Sequence, residues 1–412
     1  MKIRDIKGYE FIDSRGNPTV AAKAVLDGGT SALAIVPSGA STGKFEACEL
    51  RDNDADRYFG KGTLRAVENI NEVISSLLIG DEAYDQAAID DKMIRCDATE
   101  NKSRLGANAI LAVSLSVARA AAKSLKLPLY RYLGGSVKMT APVPMMNILN
   151  GGAHAANNID IQEFMIMPVT CKSFKERLRV CSEIYHTLGR LLKAEGLSCG
   201  VGDEGGFAPD LDNDSYALEF LVKAIEKSGY NTESVKIALD AASSEWYDNG
   251  AYKMPKRGTE FDYKGLTEYY EELLSKYPII SIEDGLGETD FEGWKYMTEK
   301  LGKRIQLVGD DLFVTDEKRL KKGIKNGSGN AILIKPNQIG TLSQTLSVIR
   351  FAQKHGYKTI VSHRSGDTED SFIADIAVGM NSEQIKTGAP QRSERTAKYN
   401  RLLLIESELE AF

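Results

Sequence analysis

Cysteine, histidine and tryptophan are scarce in this chain, with five, four and two residues among 412. The cysteines (Cys48, Cys96, Cys171, Cys181, Cys199) are odd in number, scattered, and form no C-x-x-C pair. This argues against a disulfide framework or a thiolate zinc site and predicts reduced thiols in a cytoplasmic protein. Long apolar runs are missing too. The uncharged stretch between Arg104 and Arg119 holds 14 residues rich in Ala and Ser, too few to span a bilayer, and predicts a buried helix. The opening MKIRDIKGYE is charged throughout and has no signal-peptide core. Nor is there an excess of positive charge. The 52 Lys+Arg face 58 Asp+Glu, a net charge of −6, which argues against a nucleic-acid surface but leaves room for a local basic cluster binding a small anion. What is present is an ordinary folded composition, 42% hydrophobic and 27% charged, which excludes wholesale disorder.

The period of the apolar pattern divides the chain. KIRDIKGYEFID, TVAAKAVLD and TSALAIVP read as three short antiparallel strands, separated by turns at SRGNP and DGG. Leu64, Val67, Ile70, Val73, Ile74 and Leu77 then recur every three or four residues and predict a helix, with two more near 84–96 and 107–125. This gives an N-terminal α+β domain over 1–135 and a Gly- and Pro-containing linker over 136–143. From 144 to 412 the order is strand, strand, helix, helix. Strand and helix then alternate through VKIALD, PIISIED, IQLVGDD, AILIK, KTIVSH and QIKTG. Strands this continuously apolar suit a parallel sheet buried on both faces, and the length suits an α/β barrel of the TIM type with an irregular ββαα start.

Each of those strands ends on an ionisable residue: Asp240, Glu283, Asp310, Lys335, His363 and Lys386. In a barrel the C-terminal strand ends meet at one mouth, so these six are expected to converge. The three acids offer only hard oxygens, which suits Mg²⁺. The neighbours Asp284 and Asp311 leave open which acid of each pair faces inward, with alternation favouring the first. Lys335 and Lys386 read either as cations for an anionic substrate or as bases with a pKa depressed by an adjacent ion.

Three motifs are set aside. Gly200–Gly205 satisfies G-x-G-x-x-G but follows a helical stretch and carries Asp203 and Glu204 where a pyrophosphate would sit. GASTGK has one residue too few for a P-loop, and DLDNDSYALEFL lacks the glycine and the final glutamate of an EF-hand and reads as a capped helix start. The loops SRGNP, PSGASTG and GVGDEGGFAPD remain candidates for ligand contact, the last through Glu204.

The motifs DSRGNPTV, VPSGASTG, KSRLGANAILAVS, NGGAHA, QEFMI, GDEGGFAP, SIEDG, GDDL, KPNQIGT, SHRSGDTED and QIKTGAP run in this order from residue 13 to 390. Together they resemble the enolase family. The resemblance implies reversible dehydration of 2-phospho-D-glycerate to phosphoenolpyruvate in glycolysis and gluconeogenesis, with two Mg²⁺ ions per active site. It matches Asp240, Glu283 and Asp310 to the ligands of the first ion and Ser41 to the residue joining the second. Lys335 matches the base at carbon 2 and Glu204 the acid at carbon 3. Arg364 and Ser365 match phosphate contacts, Lys386 and Gln162 further substrate contacts, and His154 and Glu163 catalytic residues that close over the ligand or tune the acid. A homodimer or higher homo-oligomer is implied, with no nucleic acid and no membrane span. Departures are small: Ala98 and Asp367 replace the more usual Gly and Glu, and NGGAHAANN varies beside His154. The alternatives are another enolase-superfamily dehydratase or racemase, or a non-catalytic surface-binding or scaffolding role.

Overall fold

The computed structural model describes residues 1–39 and 43–410. At the N-terminus β1 (Ile3–Ile12), β2 (Pro18–Leu26) and β3 (Ser31–Ile35) form an antiparallel sheet in sequence order. The helical run after it is continuous from Leu64 to Leu78 but passes through a π turn at Asn69–Ile74. Its buried line is Ala66, Ile70, Ile74 and Leu78, whereas Leu64, expected in the stripe, is exposed. A π turn takes more residues per revolution than an α turn, so positions four apart stay on one face where a 3.6 period would let them drift. Helices Gln86–Asp97 and Ala107–Ser124 follow, near their expected positions. The second, Ala-rich and buried almost all round, packs on β2 and β3 and receives the amide of Leu342 on Ser114 Oγ at 3.0 Å. It is the buried helix that its uncharged sequence predicts.

Eight strands close the barrel. β4 (Val143–Asn150), β5 (Glu163–Pro168) and β6 (Val235–Asp240) pair antiparallel in succession, with helices Phe174–Ala194 and Asp214–Lys227 between the last two. This is the irregular ββαα start. Next comes a small antiparallel sheet that the sequence reading missed: β7 (Tyr247–Asp248), β8 (Ala251–Met254) and β9 (Thr259–Phe261). The Asn249-Gly250 pair between β7 and β8 was its available signal, since Asn-Gly suits the tight hairpin turn. The parallel strands β10 (Ile279–Glu283), β11 (Gln306–Gly309), β12 (Ala331–Ile334), β13 (Lys358–Ser362) and β14 (Gln384–Lys386) complete the ring, β14 closing onto β4.

The barrel interior is a separate apolar cluster: Met145, Met165, Met167, Ala238, Val308, Ala331, Leu333 and Ile360. Side chains alternate along a strand. Positions two residues from these therefore face inward as well, and at the mouth they are Glu163, Asp240, Asp310 and Lys335. Glu283 and Lys386 stand two residues beyond Ser281 and Gln384, which belong to a buried polar group with Gln306: Gln306 Nε2 donates to both at 3.0 Å. His363 is out of phase, since Ile360 and Ser362 take the inward positions. It accordingly leaves the ring of acids and turns toward Glu204 on the wall of the same cleft.

Candidate active site

Lys386 Nζ stands at the centre of the acidic ring. It donates to Asp240 Oδ2 at 2.9 Å and to Glu283 Oε1 and Oε2 at 2.9 and 3.0 Å, and lies 3.2 Å from Glu163 Oε2. Burial opposes its charge, but Asp240, Glu163 and Glu283 outweigh burial and hold the ammonium well above its ordinary pKa. Lys335 Nζ pairs with Asp310 Oδ2, and Gln338 Nε2 donates to Asp310 Oδ1 at 2.9 Å. Burial depresses the Lys335 pKa, but Asp310 outweighs it and the net shift is upward. That is opposite to a lysine base depressed by a cation, because the neighbour it meets here is an anion.

The second acid of each pair has its own work. Asp284 accepts the amides of Asp310 and Asp311 at 2.9 and 2.8 Å and so fixes the turn that presents Asp310. Burial, then repulsion by Asp311 and Asp310, pushes its carboxyl well up. Asp311, facing the same cleft, is raised to about 8 by burial and by Asp310.

Across the mouth, the GDEGG loop places Glu204 in the protein interior, only 3% exposed. Asn147 Nδ2 donates to its Oε2 at 3.1 Å, His363 Nε2 lies 3.4 Å away, and His154 Nδ1 is 3.8 Å from Oε1 and 3.6 Å from Glu163 Oε1. Burial alone would raise the Glu204 pKa, but His363, His154 and Arg395 reverse it to well below the usual range. Glu163 moves the other way, raised by burial and by the charge of Glu204. Two buried carboxyls that repel each other in this way favour one shared proton, a property of the pair.

Arg364, just past β13, grips Glu46: Nη1 donates to Oε2 at 2.8 Å and Nη2 to Oε1 at 3.2 Å, while Nη1 also reaches Asn337 Oδ1 at 3.2 Å. No sequence signal singles out Glu46; it lies three residues past the PSGASTG motif and touches the barrel only through the fold. Ser365 and Gln162 line the same cleft. The N-terminal turns converge here too. Ser38 and Gly366 exchange backbone hydrogen bonds at 2.7 and 3.0 Å, Ser14 N donates to Asp367 O at 2.8 Å, and Arg15 Nη2 donates to Gly39 O at 3.0 Å. The N-terminal domain is thus fastened to the strand end that carries His363, Arg364 and Ser365. Ser41 lies outside the described residues.

Residues 3–133 match the family model for the enolase N-terminal domain, and residues 138–412 that for the enolase C-terminal TIM barrel domain. An enolase of a Nitratiruptor species is 58% identical over 408 residues, covering 99% of this chain and 97% of that protein. The chain belongs to the enolase family. Enolases are lyases of glycolysis that use a divalent metal ion, so the donor set must suit such an ion. It does: among the described residues, two groups bring three donors within 4.8 Å of one another, His154–Glu163–Glu204 and Asp284–Asp310–Asp311. The second is all carboxylate oxygen, the donor set of a hard cation. Asp240, Glu283 and Asp310 do not form one such group; their oxygens are shared between the ammonium groups of Lys386 and Lys335. Carboxylates already holding two internal cations are suited to an external one.

No helix among the described residues is long and apolar enough to cross a membrane. The N-cap reading of DLDNDSYALEFL also holds, as Asn213 accepts the amide of Tyr216 at 3.0 Å at the start of helix Asp214–Lys227.

Proposed function

We propose that this enolase dehydrates 2-phospho-D-glycerate with Lys335 as base and Glu204 as acid. The observation that carries the division of labour is that both enter one cleft in opposite electrostatic settings, Lys335 on Asp310 and Glu204 among histidines. Lys335 Nζ takes the proton from carbon 2, which first requires it to give up the proton that Asp310 favours. Glu204 is held as a carboxylate by its setting, so it must first take up a proton; it then passes that proton to the hydroxyl leaving carbon 3, since hydroxide is a poor leaving group unless protonated. Glu163 and His154 support Glu204, closing over the ligand or tuning the acid. The Arg364 fork and Ser365 hold the phosphate, for which a planar guanidinium is suited; Gln162 and Lys386 contact the remaining oxygens. Asp240, Glu283 and Asp310 would hold one Mg²⁺ ion and Ser41 would join a second, and the bound ions would offset the second negative charge that proton loss places on the substrate carboxylate. The protein acts in the cytoplasm as a homodimer or larger homo-oligomer.

The test is direct. Chelator-treated, folded protein is expected to form phosphoenolpyruvate from 2-phosphoglycerate only after Mg²⁺ is restored, and no turnover then would refute the reading.

A further inference from the structure

Arg395 is fully buried in the first turn of helix Ser393–Glu410 and has no role in the reaction described above. Its donors are nonetheless spent on the walls of the cleft. Nη1 lies 2.6 Å from His363 Nδ1 and 2.6 Å from the carbonyl of Arg364. Nη2 lies 2.6 Å from the carbonyl of Ser365 and 3.1 Å from that of Asp203. The guanidinium therefore ties the strand end after β13 to the loop that carries Glu204.

The contact with His363 has a chemical consequence. A guanidinium offers only donors, so the ring nitrogen it faces must accept. His363 Nδ1 then carries no proton, and in the neutral ring the proton sits on Nε2, the nitrogen turned toward Glu204 Oε2. An imidazolium would set an N–H against the guanidinium N–H and a cation against a cation. Burial opposes that form as well, holding the His363 pKa down near 4.

We propose that Arg395 is a positioning residue of the active site, which holds His363 as the neutral Nε2–H tautomer so that this N–H faces the Glu204 carboxylate. The tautomer is a property of the resting protein; only its effect on turnover rests on the role given to Glu204. Through His363, Arg395 keeps Glu204 in one orientation, and through the two backbone carbonyls it fixes Arg364 and Ser365. The absence of a side chain at Gly388 makes room for this, since a Cβ there would come within 2.9 Å of Arg395 Cδ and 2.7 Å of the Glu204 carbonyl.

Two measurements test it. In protein with ¹⁵N-labelled histidine, long-range proton–nitrogen correlation at neutral pH, assigned with His363→Gln, is expected to show His363 as a single Nε2–H tautomer. An Nδ1–H tautomer or an imidazolium would overturn the proposal. In Arg395→Lys, one ammonium cannot serve four acceptors. His363 is expected to become a tautomer mixture, and dehydration kcat to fall by at least about tenfold with a smaller change in KM. A single Nε2–H tautomer retained in Arg395→Lys would show that Arg395 does not set it. Should that variant fail to fold, neutron diffraction on the native protein decides the same point. A proton on Arg395 Nη1 directed at a bare His363 Nδ1 supports the proposal, and a proton on Nδ1 overturns it.

Discussion

The Arg119 guanidinium closes on the Asp370 carboxylate at 2.9 and 2.6 Å, joining the long buried helix of the N-terminal domain to the chain just past the catalytic strand end. Asp370 also accepts the amides of Ile35 and Phe372, both at 2.9 Å. One carboxylate thus anchors β3, the Ala-rich helix and the barrel. Burial alone would raise its pKa, but Arg119 and the two amides bring it below the ordinary 3.8. A lowered carboxyl contributes stability that is present above its unfolded value and lost as pH falls through the folded one. Asp370→Asn is therefore expected to cost about 3 kcal/mol at neutral pH, because it leaves Arg119 buried and uncompensated. In urea unfolding the gap to wild type should hold from pH 7 to 5 and narrow only below about pH 4. Narrowing already at pH 5 would contradict this account.

The two chemical roles can be separated by isotope exchange. Lys335→Ala is expected to abolish exchange of the carbon 2 proton with solvent, while Glu204→Gln spares exchange and depresses overall dehydration by roughly a hundredfold. If both activities fell together in the Glu204 variant, Glu204 would not be the acid at carbon 3.

Glu46 holds the Arg364 fork from outside the barrel, so its effect should appear in substrate affinity. Glu46→Gln keeps the size and one acceptor but loses the charge. We expect KM to rise by roughly tenfold, the loss of one charge-assisted contact, with kcat little changed. A fall in KM would mean instead that Glu46 competes with the phosphate for Arg364.

Gly366 is needed for close approach. A Cβ there would meet Arg15 Nη2 at 2.5 Å and both Asp13 Oδ2 and Ser38 Oγ at 2.6 Å. Gly366→Ala is expected to lower stability by about 2 kcal/mol and to raise KM, since it unseats the N-terminal turns from the strand end that carries Arg364 and Ser365. Wild-type melting together with wild-type KM would show that the seam tolerates the methyl group.

Continuously apolar runs that end in acids and lysines were legible because a strand buried on both faces reveals its length and where it leaves the core, and that placed five charged side chains in one mouth. Three things stayed hidden. The π turn at Asn69–Ile74 alters a helix's period without a characteristic residue, so a regular helical period finds Ile70 and Ile74 but puts the exposed Leu64 in the stripe and misses Ala66 and Leu78. The β7–β9 sheet is built from strands of two to four residues, too short for alternation to show. Glu46 and Arg395 act through contacts between residues 30 to 318 positions apart, which no local pattern encodes.

Lys386 has one more consequence. A strand end crowded with carboxylates would resist assembling, yet this ring is supplied with a covalently attached counter-ion from β14, the last barrel strand in the sequence. The charge of the ring is therefore offset within the chain itself. A divalent ion arriving here would trade places with an internal cation and would not have to gather the carboxylates itself.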